Sequence, residues 1–156
     1  MAAARELVRE ATGGEVGVAE IARRAGVSRI TVYNRFGSRQ GVLAELTARP
    51  PDATPLDGDP TDALRLHLAA ACSRWAADPT LFRNLPPSEA SDRPRLLAER
   101  LAAADRLRPG CSLREAEDVI ATLSSFAVFD RLHHDGRRPA PAVAEVLMRL
   151  AAGILA

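Results

Sequence analysis

The stretch Ile21–Phe36, IARRAGVSRITVYNRF, constrains this chain more than any other. It reads as two short helices joined by a tight turn. Ile21, Ala22 and Ala25 share one narrow edge of a first helix and leave Arg23 and Arg24 to solvent. Gly26 stops that helix, because glycine enters the left-handed conformation that commonly ends a helix without steric cost, and Val27 is expected to plug the corner behind it. Ser28 restarts the chain as an N-cap whose side chain accepts a backbone N–H from Thr31 or its neighbour. Val32 and Phe36, four residues apart, face inward with Ile21 and Ala25. Arg29, Thr31, Tyr33, Asn34 and Arg35 are left on the outer face.

Between Ile21 and Arg39 there are five arginines and no acid, although the formal charge of the whole chain is only +1. Eight arginines face five acids up to Arg49, and thirteen face fifteen beyond it. Basic charge is therefore concentrated at the N-terminal end. A short basic helix with hydrogen-bonding tips, held by another helix and a three-residue turn, has the geometry of an element that enters a DNA major groove. On these residues alone, a solvated helical hairpin accounts for the pattern equally well.

The segment AGVSRITVYNRFGSRQGVLAEL resembles the DNA-binding segment of the TetR (tetracycline-repressor-like) family of bacterial regulators. The likeness runs from the Ala-Gly-Val turn through Tyr-x-x-Phe to the Gly-Ser-basic start of the next helix. It implies an all-α fold, with an N-terminal three-helix helix-turn-helix head and a C-terminal helical bundle that dimerises through its last two helices. It also implies a sequence-specific transcriptional regulator, a repressor released from a palindromic DNA operator by a small apolar effector. Carried onto this chain, the DNA-contacting set is Arg29, Ile30, Thr31, Tyr33, Asn34, Arg35 and Arg39. Arg39 stands in the first turn of a helix capped by Ser38, where the helix dipole disfavours a cation, and phosphate contact is the duty that the resemblance implies for it. Two departures stand out. In relatives the first helix is usually longer and preceded by a basic arm, whereas here Met1 lies almost at its start, and Gly17 stands where relatives often carry Ser or Thr as a cap.

The boundaries implied are a head over residues 1–48 with its motif at about 17–36, a linker over 49–60, and a ligand-binding and dimerisation domain over 61–156. The linker contains Pro50, Pro51, Pro55 and Pro60 among turn-forming residues, which excludes a continuous helix. In the head, Leu7 and Ala11 share a face of a first helix that ends at Thr12-Gly13-Gly14, and a fourth helix over Ser38–Ala48 turns Val42, Leu43 and Leu46 inward.

Beyond the linker, Asp59-Pro60 is a cap followed by proline and opens a helix to about Ala77, with Leu64, Leu68, Ala71, Cys72 and Trp75 as its stripe and His67 at the edge. Asp78-Pro79 opens a short helix to Leu85, ended by Pro86-Pro87-Ser88. A helix from Asp92 to Leu107 turns Leu96, Leu97, Leu101 and Ala104 inward. Ser112-Leu113-Arg114-Glu115 is a capping box for a helix to about His133. Its middle, Val119–Phe129, is apolar almost all round, and the last helix over Pro141–Leu155 carries Val143, Val146, Leu147, Leu150 and Ile154 on one side. So much apolar surface points to burial against a second copy.

With 47% apolar, 26% charged and only 4% aromatic residues, the composition is that of a globular helical protein. Cys72 and Cys111 lack zinc-ligand spacing, so no metal site is expected and the thiols are taken as reduced. No segment is apolar for long enough to cross a bilayer, and the N-terminus lacks a signal-peptide core, so a cytoplasmic, nucleoid-associated bacterial protein without a membrane partner is expected. His67, His133 and His134 are not placed as partners of a nucleophile, and no phosphate loop or carboxylate dyad is present, so neither catalytic residues nor a cofactor are expected. His67, Leu68, Ala71, Cys72, Trp75, Phe82, Phe126 and Phe129 form a mixed stripe with two readings, a plain core or an effector pocket anchored by His67. Two other functions stay open: a helical dimeric binding protein with a vestigial head, which operator binding would exclude, and a small helical enzyme, which turnover would reveal.

Overall fold

The computed structural model describes residues 1–11, 16–47, 56–85 and 91–156. Among the described residues, ten α-helices and one π-helical turn follow in order, and the only extended pairing is an isolated antiparallel bridge between Leu107 and Leu155. The fold is all-α. The helices are α1 (Ala2–Glu10), α2 (Val18–Ala25), α3 (Arg29–Phe36), α4 (Arg39–Thr47), α5 (Pro60–Ala77), α6 (Pro79–Asn84), α7 (Arg93–Ala103), α8 (Leu113–Leu123), α9 (Phe126–Asp130) and α10 (Ala140–Ala151). Two compact units result, one made by α1 to α4 together with α6, the other by α5 and α7 to α10.

The first unit is built on small and branched side chains. Leu7, Val8, Ile21, Val32, Val42 and Leu46 form the centre of its core, with Phe36 partly buried against it. Leu81 of α6 belongs to the same core, so a helix that follows α5 directly in the chain is packed into the head. Asn84 strengthens that attachment by donating from Nδ2 to the carbonyls of Val8 (3.0 Å) and Arg9 (3.2 Å). These lie in the last turn of α1, where carbonyls lack partners within the helix. Two inward placements are corrected here. Ala25 is exposed, because the last turn of α2 already leaves the core, and Val27 is 43% exposed and does not plug the corner. The expected end of α1 at Thr12-Gly13-Gly14, Ala48 of the fourth helix, the linker prolines before Leu56, and Pro86-Pro87-Ser88 lie outside the described residues.

In the second unit, α5 packs on α10 and α7 on α8, with further α5–α7 and α8–α10 contacts. The Asp59 carboxylate accepts the backbone N–H groups of Thr61 (2.8 Å) and Asp62 (3.1 Å), and Pro60 occupies the first turn, as the cap-then-proline signature predicts. Those N–H donors, with Arg106 nearby, hold the Asp59 carboxyl below its ordinary value. The stripe Leu64, Leu68, Ala71, Cys72 and Trp75 is buried. His67, at the edge of this stripe, is buried as well, only 2% exposed.

Several boundaries differ from the sequence reading. The helix expected to reach Leu107 stops at Ala103, because Asp105 takes a left-handed conformation at φ 54°, and Leu96 and Ala104 are exposed. The helix expected to reach His133 breaks after Leu123. Thr122 Oγ1 donates to Asp118 O (2.8 Å), Ser125 Oγ donates to Thr122 O (2.8 Å), and Ser125 starts α9 as a new cap. Hydroxyls bonding back to carbonyls in this way compete with the helical ladder. A π-helical turn, Arg131–Asp135, closes the segment. Ser112 caps α8 through the Glu115 N–H at 3.1 Å. The last helix, expected to reach Leu155, ends at Ala151; Val143 and Leu147 on it and Ile154 beyond it are buried, whereas Leu150 is 55% exposed. No helix among the described residues is long and apolar enough to cross a membrane.

Candidate nucleic-acid interface

The candidate site is the outer face of α3, and its geometry follows from what holds that helix on each side. Gly26 ends α2 at φ 66°, its N–H returning to Ala22 O and Arg23 O. Ser28 then accepts the Thr31 N–H at 3.1 Å. At the far end Gly37 turns at φ 71°, and Ser38 Oγ accepts the Gly41 N–H at 3.0 Å to start α4. Gly41 is required by packing: a Cβ there would collide with the Phe36 carbonyl oxygen, so only glycine lets α4 begin so close to the end of α3. Val32 anchors the helix in the core. Arg29, Ile30, Thr31, Tyr33, Asn34 and Arg35 are all exposed, and the structure brings these six together on one short helix.

The arginines of this region are not equivalent. Arg24 pairs with Glu10 of α1 at 2.8 Å and lies 3.7 Å from Glu6, while Arg23 pairs with Glu20. The hydrogen bond from Arg24 holds the Glu10 carboxyl below its ordinary value, and the same contact raises Arg24. Arg39 donates from Nε to Val16 O at 2.8 Å, tying the start of α4 to the residues before α2. Arg35 lies 5.5 Å from the centroid of the Phe36 ring, and Arg29 makes no hydrogen bond or ion pair among the described residues. Of the five arginines, Arg23 and Arg24 thus meet acids and Arg39 a carbonyl, which sets Arg29 and Arg35 apart as cations that make no hydrogen bond or ion pair among the described residues. The neutralising acids come mostly from α1, too distant in sequence for local counting to reveal them. Thr31 is also changed by its surroundings, since its hydroxyl lies 2.9 Å from Ser28 Oγ within the cap.

The second set of residues divides. Leu68, Ala71, Cys72, Trp75, Phe126, Phe129 and His67 belong to the second unit, while Phe82 lies in α6 of the first and is partly exposed. Trp75 meets Phe126 edge-on at 6.1 Å and Phe129 at 5.4 Å, and Phe129 stacks on His133 at 4.8 Å. His67 Nε2 lies 3.1 Å from Ser124 Oγ, a polar pair inside this apolar packing. Burial pushes the Cys72 thiol up to about 11. Seven of the eight predicted residues are therefore in one packed region. An open groove of about 450 Å³ lies elsewhere, along α8, lined by Ser112, Arg114, Glu115, Asp118, Val119, Thr122 and Leu123.

Comparison with known proteins places the first unit. Residues 1–46 match the family model described as bacterial regulatory proteins, tetR family. An uncharacterised HTH-type transcriptional regulator of Mycobacterium tuberculosis is 45% identical over 67 residues, covering 40% of this chain and 35% of that protein. A Mycobacterium bovis regulator of the same description is 42% identical over the same length. The chain thus spans about a third of the length of the curated relatives it matches, 35% of each. Among solved structures, the fatty acid degradation regulator FadR from Bacillus halodurans superposes with a TM-score of 0.73 at 19% identity, covering 97% of this chain and 95% of that one. NalD, the secondary repressor of the MexAB-OprM multidrug efflux pump in Pseudomonas aeruginosa, gives 0.66 at 22% identity, covering 99% and 92%. At such identities the likeness is one of fold. The likeness to the tetR family of bacterial regulatory proteins thus rests on the N-terminal head, residues 1–46.

Proposed function

We propose that this protein is a sequence-specific DNA-binding transcriptional regulator, acting as a homodimeric repressor that a small, largely apolar effector releases from a palindromic operator. The observation that carries the reading is the construction of α3: capped by Ser28, anchored by Val32, and presenting Arg29, Ile30, Tyr33, Asn34 and Arg35 to solvent with no acid among them. Arg29, Asn34 and Arg35 supply donors for base edges and phosphates, and the N-terminal residues of such a helix are those that meet bases. Arg39, held to Val16 O, serves chiefly to set α4 and secondarily as a phosphate contact. In a two-fold dimer the two copies of α3 would address half-sites about 34–36 Å apart.

Dimerisation through α8 and α10 is supported by exposed Leu113 and Leu150 and by partly exposed Val119 and Val146 on those helices. A stable pairing of this kind would bury roughly 2,000 Å² or more. The effector is placed among Leu68, Ala71, Cys72, Trp75, Phe126 and Phe129, with His67 and Ser124 as the polar pair it would meet. These residues are packed in the structure, so the effector would favour a second conformation in which they part, and a ligand equally suited to both states would shift nothing.

The test is operator selection from random duplex DNA, followed by binding measurements as salt is varied. A selected palindrome bound by a dimer, with affinity falling steeply with salt, is expected. A chain that enriches no duplex, or that sediments as a monomer at micromolar concentration, overturns the reading.

A further inference from the structure

Ile30 is the most exposed large apolar side chain in the described structure, 70% accessible, at the second position of α3. Tyr33, one turn later on the same side, is 50% exposed, and Val27, in the turn before the helix, is 43% exposed. Ile30 and Tyr33 are the apolar members of a face whose other members are Arg29, Asn34 and Arg35. Nothing in the first unit explains this isoleucine: it is outside the core that Val32 and Phe36 enter. Thr31 beside it has its hydroxyl engaged with Ser28, so its methyl is the group left to offer. A surface meant only for phosphates would carry arginine, asparagine or serine at this position.

We propose that Ile30 is a specificity-determining residue that reads the C5-methyl groups of thymine, with the Thr31 methyl and the Tyr33 ring extending the contact. The inference rests on the DNA-binding reading above and adds what the operator must contain. In the major groove the thymine methyl is the apolar feature that base pairs present, and the other edges are hydrogen-bond donors and acceptors. An isoleucine near the N-terminus of the inserted helix can gain only from such a methyl, and beside cytosine or guanine it would cover polar edges without satisfying them. The operator half-site is therefore expected to hold thymine opposite the start of α3, flanked by bases and phosphates within reach of Arg29 and Arg35.

Replacing thymine by uracil in a selected duplex removes only the methyl group and leaves pairing intact. Each half-site position is changed in turn, and binding is measured with the full chain and with Ile30→Ala and Ile30→Val. Ile30 is outside the core, so neither variant threatens folding. At one or two positions uracil should weaken binding about fourfold per methyl, the transfer value of one buried methyl group. Ile30→Ala should bind thymine and uracil duplexes alike at those positions, and Ile30→Val should keep part of the preference. Indifference of the unaltered protein to uracil, or an undiminished preference in Ile30→Ala, overturns the assignment while leaving DNA binding intact. Equal loss on both duplexes in Ile30→Ala also overturns it, since the side chain would then touch something other than the methyl. If no duplex is enriched at all, the DNA-binding reading itself fails and this inference falls with it.

Discussion

The outer face of α3 and the aromatic cluster of the second unit both carry large side chains in a helical stripe, and they end in opposite environments. Ile30 and Tyr33 stand in solvent, whereas Leu68, Cys72 and Phe129 are wholly buried. The difference lies in what surrounds each stripe. Helix α3 is short, and one inward row led by Val32 suffices to hold it, so its remaining positions are free for a partner. Helix α5 is 18 residues long and meets α7, α9 and α10, so its stripe is used for stability first. An exposed stripe in a small unit points to binding, and a buried one in a larger unit points to core unless an opening is shown. The effector role of the second stripe is in that sense a claim about another conformation.

The largest expected effect tests the buried side of this contrast. Phe129→Ala removes a fully buried ring that contacts Trp75, Phe126 and His133, and should cost about 3–5 kcal/mol in chemical denaturation. A cost below about 1 kcal/mol would mean that the ring borders a void, and the pocket reading would gain what the core reading lost. Ala71→Trp probes the same point from the other direction. Ala71 is 2% exposed, so a packed interior should lose about 1–3 kcal/mol to overpacking, while a preformed cavity would accept the indole at little cost. In the proposed regulator this variant also loses its response to the effector and keeps its DNA binding.

On the exposed side, Arg29→Ala and Arg35→Ala should each weaken operator binding by about 1–3 kcal/mol without changing the melting temperature of the protein. Arg24→Ala should act differently, because Glu10 and Glu6 already neutralise that side chain in the free protein. Its effect on the salt dependence of binding should be smaller than that of Arg29→Ala. Equal slopes for the two variants would show that the pairing with Glu10 does not persist on DNA, and the division of the arginines into two classes would fail.

What the sequence showed and what it hid have a common physical origin. The caps are local devices: Ser28, Asp59-Pro60 and Ser112 each act on N–H groups two or three residues away, so their roles could be read from spacing alone. The placement of Val42, Leu43 and Leu46 likewise follows from helical period. The features that escaped depend on partners far along the chain. Asn84 serves carbonyls 75 and 76 residues earlier, Leu81 joins the core of the first unit, and His67 sits 57 residues from the serine it meets. The break after Leu123 was marked by Thr122, Ser124 and Ser125, whose hydroxyls could have been read as competitors for the helical ladder. Gly41 was also a signal, since a glycine inside a helical segment asks what must come close.

The smallest effect concerns the ion pair that sets Arg24 apart from Arg29. The Glu10 carboxyl lies below its ordinary value mainly because Arg24 donates to it, and next because of the Arg24 charge, with slight desolvation opposing. The folded state therefore releases this proton more readily than the unfolded chain, which binds more protons in the interval between the two values. The contribution to stability is complete above the ordinary glutamate range and is lost as pH falls through the lowered folded value. Glu10→Gln should remove that increment, so its melting temperature should lie slightly below that of the unaltered protein at neutral pH and converge with it in acid. Both groups are at the surface, so the gap should also narrow with added salt. A gap that persists at pH values below the carboxylate range would mean that Glu10 acts through packing rather than charge. Arg24 would then be as available to DNA as Arg29, and the first unit would present a wider basic face than α3 alone.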